Sequence, residues 1–158
     1  DVAGRLWDAG PEPLFPLKPG AASLLHALRQ AGVPCAVASS SRRDEIEHRL
    51  DRVGVLQHFH AWAGGNEVPR GKPDPALYQL AAVRLGVDPA QCLAFEDSEN
   101  GARAAQAAGV AVVIVPDLKA PDLKAPGIEV VERSHGVLES LVHAHAHLPR
   151  WFRAARVP

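Results

Sequence analysis

An α/β fold, a parallel sheet flanked by helices, is what this sequence predicts, and three observations predict it. Short apolar runs alternate with helix-length segments that carry a one-sided apolar stripe. Gly32, Gly54, Gly86 and Gly109 each follow such a stripe, where helices stop. The stretch from Cys92 to Val115 reads as strand, acid pair, helix, strand, a crossover unit that requires parallel neighbours.

Taken in order, residues 1 to 10 read as the last turns of a helix, with Val2 and Leu6 on one face and Ala3 and Trp7 on the next. Gly10-Pro11-Glu12-Pro13 stops it, and a proline-punctuated connector runs to Pro19. Lys18-Pro19-Gly20 opens a helix striped by Leu24, Leu25 and Leu28. Val33 to Ala38 is a strand closed by Ser39-Ser40-Ser41, and Asp44 to Val53 a helix turned inward through Ile46, Leu50 and Val53. A strand over Phe59 to Ala63 leads to Gly64-Gly65, and a loop from Asn66 to Pro73 precedes Asp74-Pro75, a cap and first-turn pair. The helix that follows carries Leu77, Leu80, Ala81 and Leu85. Ser98 is placed to cap the next helix, and Ala111 to Val115 is a further strand. Pro-Asp-Leu-Lys-Ala occurs twice in tandem over 116–125, too short for a structural repeat and read as a lengthened loop. An edge strand over Ile128 to Val131 and a final helix from Val137 to about Leu148 complete the chain.

The chain has 158 residues and a net charge of −1, from 17 basic and 18 acidic side chains, so no polyanion-binding surface is indicated. Aromatics at 5% argue against stacking platforms, so no nucleic-acid partner is expected. The longest apolar run, Ala107 to Pro116, is too short to cross a bilayer, and no membrane partner is expected. Cys35 and Cys92 each open an apolar strand and read as buried reduced thiols. With no secretory signal visible, a cytoplasmic location is expected. The sequence contains no methionine and begins at Asp1, so the reading is of a processed chain or a piece of a longer one.

Three features converge on one rim of a parallel sheet, the carboxyl ends of its strands, where ligands of open α/β sheets bind. Glu96 and Asp97 close one strand, and adjacent carboxylates repel unless a cation or hydrogen bonds offset them. A hard divalent ion answers this, with Mg²⁺ the best fit; the alternative is that both acids merely favour the helix N-terminus. Ser39 and the backbone N–H groups around Ser40 suit an anion such as phosphate, or Ser39 is a satisfied strand-end hydroxyl. Lys72, between Gly71 and Pro73-Asp74-Pro75, would aim a point charge at the same spot, or is a solvated loop lysine. Ammonium, hydroxyl and carboxylate-bound metal together describe phosphoryl-group binding. His143, His145 and His147 alternate near the C-terminus without an acidic or cysteine partner and read as a solvated helix end. Trp151, Phe152, Arg153 and Arg156 make a basic-aromatic tail.

Ala38-Ser39-Ser40-Ser41, Arg70-Gly71-Lys72-Pro73-Asp74-Pro75 and Phe95-Glu96-Asp97-Ser98-Glu99-Asn100-Gly101 resemble, in order, the second, third and fourth motifs of the haloacid dehalogenase (HAD) superfamily of phosphohydrolases. Lys18-Pro19-Gly20 is similar to the helix opening of its beta-phosphoglucomutase-like branch. The resemblance covers about residues 13 to 142. It implies a Rossmann-like sheet in which Asp97 ligates Mg²⁺ with Glu96 in support. It also implies that Lys72 stabilises the phosphoryl oxygens and that Ser39 hydrogen-bonds the transferred group. Ser40, Ser41, Arg42 and Arg43 would then bind phosphate or face the rest of a small phosphorylated metabolite, though Arg42 and Arg43 read equally as solvated residues of a first helical turn.

The family's first motif, an Asp-x-Asp that supplies the nucleophile, has no counterpart, since no apolar strand precedes Asp1 or Asp8. The expectation is therefore a cap remnant over 1–12, an incomplete core over 13–148 that lacks the first central strand, and a tail over 149–158. The activity implied is a Mg²⁺-dependent phosphatase working through a phospho-aspartate in the intact protein. A phosphosugar mutase is the near alternative, and a non-catalytic Mg²⁺- or phosphate-binding module the alternative of another class. The strand ending at Ser39 and the one ending at Glu96 would flank an empty central slot, at a cost of many kcal/mol against a total stability of about 5 to 15 kcal/mol. The isolated chain is accordingly expected to be unstable, to aggregate or to borrow a strand. A sharp, reversible thermal melt of a monodisperse monomer would contradict that expectation.

Overall fold

The computed structural model describes residues 16–116, 138 and 140–152. The expected helix over 1–10, the duplicated pentapeptide beyond Pro116, the edge strand over 128–131, and Arg153 and Arg156 lie outside the described residues.

Helix α1 (Ala21–Gln30) follows Gly20, whose φ of 85° is left-handed and whose Cα lies so close to the later chain that a Cβ would stand 2.3 Å from the Val142 nitrogen. Leu24 and Leu28, four residues apart, are its buried face. Strand β1 (Ala36–Ser39) leads to helix α2 (Arg43–Arg52), which buries Ile46. Strand β2 (Ala61–Gly64) follows, displaced toward the C-terminus from the predicted run at Phe59. Helix α3 (Ala76–Leu85) has Pro75 at its N-cap, one residue later than the predicted Asp74, whose Oδ1 still accepts the Ala76 N–H at 3.0 Å, and it ends at Gly86 with φ 69°. Strand β3 (Leu93–Glu96) ends in the acid pair, and helix α4 (Glu99–Ala107) starts where predicted, with Ser98 Oγ accepting the Gly101 N–H at 3.1 Å. Strand β4 (Ala111–Ile114) completes the crossover.

Pairing is parallel throughout: β1 with β2, in register from Ala36 opposite Ala61 to Ser39 opposite Gly64, and β3 with β4, from Leu93 opposite Ala111 to Glu96 opposite Ile114. Among the described residues the strands form these two pairs, with no ladder joining β1 to β3. All four residues of β1 are only half-buried, whereas Val112, Val113 and Ile114 of β4 are buried. Each pair is covered by a helix. Ala102 and Ala105 of α4 pack on Ala94, Val112 and Ile114, while Leu77 and Ala81 of α3 pack on Ala63 with Ala36 and Ala38.

The last described segment departs from the expected α-helix. Leu141–His147 is a 3₁₀ helix, and only Leu148–Trp151 (α5) is α-helical. The three-residue spacing of Leu141 and Ala144 stacks both against Leu24 and Leu28 of α1, a face that the tighter helix aligns. Ser140 Oγ accepts the Val142 N–H at 3.3 Å to start it. Trp151 and Phe152 pack into the same cluster, with Trp151 edge-on to Phe95 at a centroid distance of 5.7 Å. His143 and His145 are exposed, while His147 stacks on Trp151 at 5.1 Å. The two cysteines are free thiols but half-buried rather than buried, because each sits one residue outside its strand. Burial still pushes the Cys35 thiol up to about 11. No helix among the described residues is long and apolar enough to cross a membrane.

One carboxylate ties the β2 end of the fold together. Glu67 accepts from Arg84 through both oxygens, at 2.7 and 2.9 Å, and from the Gly64 N–H at 2.9 Å, with Arg43 3.7 Å away. Arg84 also donates to the Trp62 carbonyl at 2.6 Å, so α3, β2 and the start of α2 share one latch. The Arg84 hydrogen bonds, above all, hold the Glu67 carboxyl down at about 2. With a folded value below the ordinary 4.5, its contribution is complete above that value and is lost as pH falls toward 2. In the protein expressed from the full reading frame, Glu67→Gln should lower the melting temperature by a few degrees at pH 7, and the gap to wild type should close between pH 4.5 and 2. A gap that does not change with pH would contradict the latch.

Candidate functional site

The carboxyl ends of β1 and β3 carry Ser39 and Glu96, and the loop after β2 carries Lys72. The two predicted charges meet: Lys72 Nζ donates to Glu96 Oε1 in an ion pair with the lysine side chain 13% exposed and the glutamate 8%. The Lys72–Pro73 peptide is cis. Glu96 is the only buried charged residue among those described, and a buried charge persists only when it is paired.

A tyrosine joins the pair. Tyr78, in the first turn of α3, donates its hydroxyl to the same Glu96 Oε1, and its ring lies 5.2 Å from Lys72 Nζ. Burial, then the charge of Glu96 and more weakly that of Asp97, push the Tyr78 phenol well above its usual range, so it acts as a donor. The other glutamate oxygen faces α4: a Cβ on Gly101 would stand 2.0 Å from Glu96 Oε2. Gly101 is thus the clearance that lets the carboxylate lie against the first turn of the helix, close to its positive end.

Asp97 stands apart from this buried group. Its side chain is 47% exposed, and its Oδ2 is 3.4 Å from Lys18 Nζ, so an intrachain ammonium already answers that carboxylate. Two adjacent hard oxygen donors, one open to solvent and attractive to a cation, fit a Mg²⁺ ion, which is commonly held by one or two carboxylates with substrate phosphate and water completing its shell. Among the described residues no third His, Cys, Asp or Glu joins them.

The remaining predicted residues are engaged elsewhere. Ser39 Oγ accepts the Ser41 N–H at 3.2 Å, and Ser41 Oγ accepts from Arg49 at 3.0 Å. Ser40 is exposed, and its carbonyl lies where a Cβ on Gly65 would collide at 2.3 Å, which closes the serine turn onto the end of β2. Arg42 pairs with Asp44 at 3.2 Å. Arg43 turns toward Glu67 and lines a separate cleft with His60, Trp62 and Arg84. Among the described residues, no hydrogen bond links the serine turn or either arginine to Lys72 or Glu96.

Sequence reasoning missed Tyr78, Lys18 and Gly101. Lys18 and Gly101 stood inside segments already singled out, one as a helix opening and the other as part of the acid stretch. Tyr78 lay on an apolar helix face whose pattern reports burial and not the direction of a hydroxyl. Gly101→Ala supplies a test: the new Cβ would collide with the buried Glu96 carboxylate, and that overpacking, about 1 to 3 kcal/mol, outweighs the helix preference of alanine, about 1 kcal/mol. In the protein expressed from the full reading frame, turnover should fall at least about tenfold and the melting temperature should drop by a few degrees. Unchanged turnover would contradict the packing of Glu96 on Gly101.

A family model described as haloacid dehalogenase-like hydrolase matches residues 9–109. The chain is 43% identical over 91 residues to validoxylamine A 7'-phosphate phosphatase of Streptomyces hygroscopicus subsp. limoneus, covering 58% of this chain and 43% of that protein. Among solved structures it resembles a HAD family hydrolase of Deinococcus radiodurans with bound phosphate and sodium, at 35% identity and a TM-score of 0.71 over 84% of this chain and 59% of that one. It also resembles CbbY of Rhodobacter sphaeroides in complex with xylulose-1,5-bisphosphate, at 30% identity and a TM-score of 0.72 over 87% of this chain and 59% of that one. The chain spans less than half the length of the curated relatives it matches.

Proposed function

This chain belongs to the haloacid dehalogenase-like hydrolase family, and on that premise we propose that it is the phosphoryl-binding part of a Mg²⁺-dependent phosphatase acting on small phosphorylated metabolites. The observation that carries the reading is the buried contact of Lys72 with Glu96 beside the solvent-facing Asp97. An ammonium and a carboxylate pair side by side at the end of a strand can hold a tetrahedral dianion between opposite charges.

In this reading Lys72, held in place by Glu96, offers the remaining donors of its ammonium to two phosphoryl oxygens. Ser39, at the matching end of β1, offers its hydroxyl to a third. Asp97 would hold the divalent ion with Glu96 behind it in support, and the ion when bound supplies neutralisation of the phosphoryl charge. The nucleophile is an aspartate carboxylate that attacks phosphorus; the P–O bond to the leaving group breaks, the departing alkoxide takes a proton from water, and a second water then cleaves the phospho-aspartate to release phosphate and regenerate the carboxylate. Asp44, Asp74 and Asp88 do not suit that role, being occupied by caps and surface ion pairs. An aspartate brought to the gap between β1 and β3 would stand between Ser39 and Glu96, which is where the attack must come from. Hydrolysis is favoured over mutase chemistry because relatives such as the Streptomyces protein are phosphatases by name.

The test is phosphate release from a panel of sugar and other phosphate monoesters by the protein expressed from the full reading frame, with and without Mg²⁺. Asp97→Ala and Lys72→Ala should each lower kcat/KM by about a hundredfold or more, whereas His145→Ala, on an exposed 3₁₀ turn, should leave it unchanged. Retention of wild-type rates by Asp97→Ala would remove its proposed role.

A further inference from the structure

We propose that Tyr78 is a positioning residue for the phosphoryl-binding pair, fixing Glu96 and Lys72 in one arrangement through its hydroxyl and its ring. The inference rests on the phosphatase reading above and assigns the pair a third member.

Lys72 alone cannot fix the position of its charge. It sits in a loop on a flexible four-carbon stem, and an ammonium is a point charge with no preferred plane, so nothing in the lysine itself fixes where the charge stands. Glu96 supplies one anchor, yet a carboxylate can turn about its last torsion and carry the ammonium with it. Tyr78 removes both freedoms. Its hydroxyl donates to the same Oε1 that receives Lys72, so the carboxylate cannot rotate without losing two hydrogen bonds at once. Its ring face lies 5.2 Å from Lys72 Nζ, which favours the ammonium on that side.

Tyr78 is itself held rigidly. It belongs to a ten-residue helix, and its ring packs against the cluster of Ala94, Ala102, Ala105, Val110, Val112 and Ile114. A side chain with two torsions, packed on a helix, locates a hydroxyl more tightly than any loop group can. Gly101 closes the opposite side of the carboxylate, so Glu96 is bounded by α3 on one oxygen and α4 on the other. A tyrosine serving only to fill space would need neither contact; phenylalanine would fill it equally well.

That comparison is the experiment, made in the protein expressed from the full reading frame. Tyr78→Phe keeps the ring, the packing and the cation–π face and removes the hydroxyl alone. We expect kcat with a phosphate monoester to fall about ten- to a hundredfold, KM to stay within about threefold, and the melting temperature to move little. A kcat within twofold of wild type, measured alongside Lys72→Ala and Asp97→Ala variants that are strongly impaired, would overturn the proposal. If those two variants also keep full activity, the phosphatase reading fails, and a second readout still decides the contact. With ¹³C-labelled tyrosine, the Cζ resonance that vanishes in Tyr78→Phe should shift in Glu96→Gln and in Lys72→Met, and stay in place in Arg103→Ala, which alters only an exposed ion pair on α4. A Cζ resonance indifferent to both Glu96→Gln and Lys72→Met would overturn the proposal whatever the activities show.

Discussion

A buried ion pair bridges the two strand pairs and fixes the geometry at their carboxyl ends. Lys72 comes from the loop after β2, Glu96 from the end of β3, and no ladder links the two strand pairs among the described residues. A buried pair of this kind is a poor source of net stability, because removing both charges from water costs about as much as their attraction returns. Breaking it by losing one partner is another matter, since the survivor is left buried and unpaired. Such a pair does little for net stability, and here it sets a positive charge against Glu96, one residue before the solvent-facing Asp97, at the end of β3.

Around that pair the structure separates two tasks. Glu96 is enclosed, with one oxygen held by Lys72 and Tyr78 and the other against Gly101. Asp97, the next residue, points into solvent and meets Lys18. Glu96 is the last residue of β3 and Asp97 lies just past the strand end, so one acid anchors and its neighbour remains accessible. The Glu67–Arg84 latch does comparable work at the far end, fixing α3 to β2 and thereby the helix from which Tyr78 projects.

How much of this was legible follows from the range of each interaction. The Ser98 cap, the stops at Gly86 and Gly109 and the crossover from β3 to β4 depend on neighbours a few residues away, and the sequence announced them. The meeting of Lys72 with Glu96 follows from strand polarity, because parallel strands bring their carboxyl ends to one rim. Tyr78 and Glu96 are 18 positions apart, and their contact depends on how α3 settles on its neighbours, which no local pattern encodes. The 3₁₀ helix at Leu141–His147 was hidden because a period of 3 cannot be told from 3.6 over seven residues. Arg42 and Arg43 stood next to the serine turn in sequence, yet their length let them reach Asp44 and Glu67 instead.

The central claim is that the ammonium of Lys72 and the carboxylate of Asp97 serve one tetrahedral anion. The most direct measurement is a crystal structure of the protein expressed from the full reading frame, grown with Mg²⁺ and soaked with orthovanadate. The account predicts vanadate oxygens within hydrogen-bonding distance of Lys72 Nζ and the metal density bound to Asp97, with Tyr78 still on Glu96. Vanadate bound elsewhere, with Lys72 making no contact to it, would contradict the account.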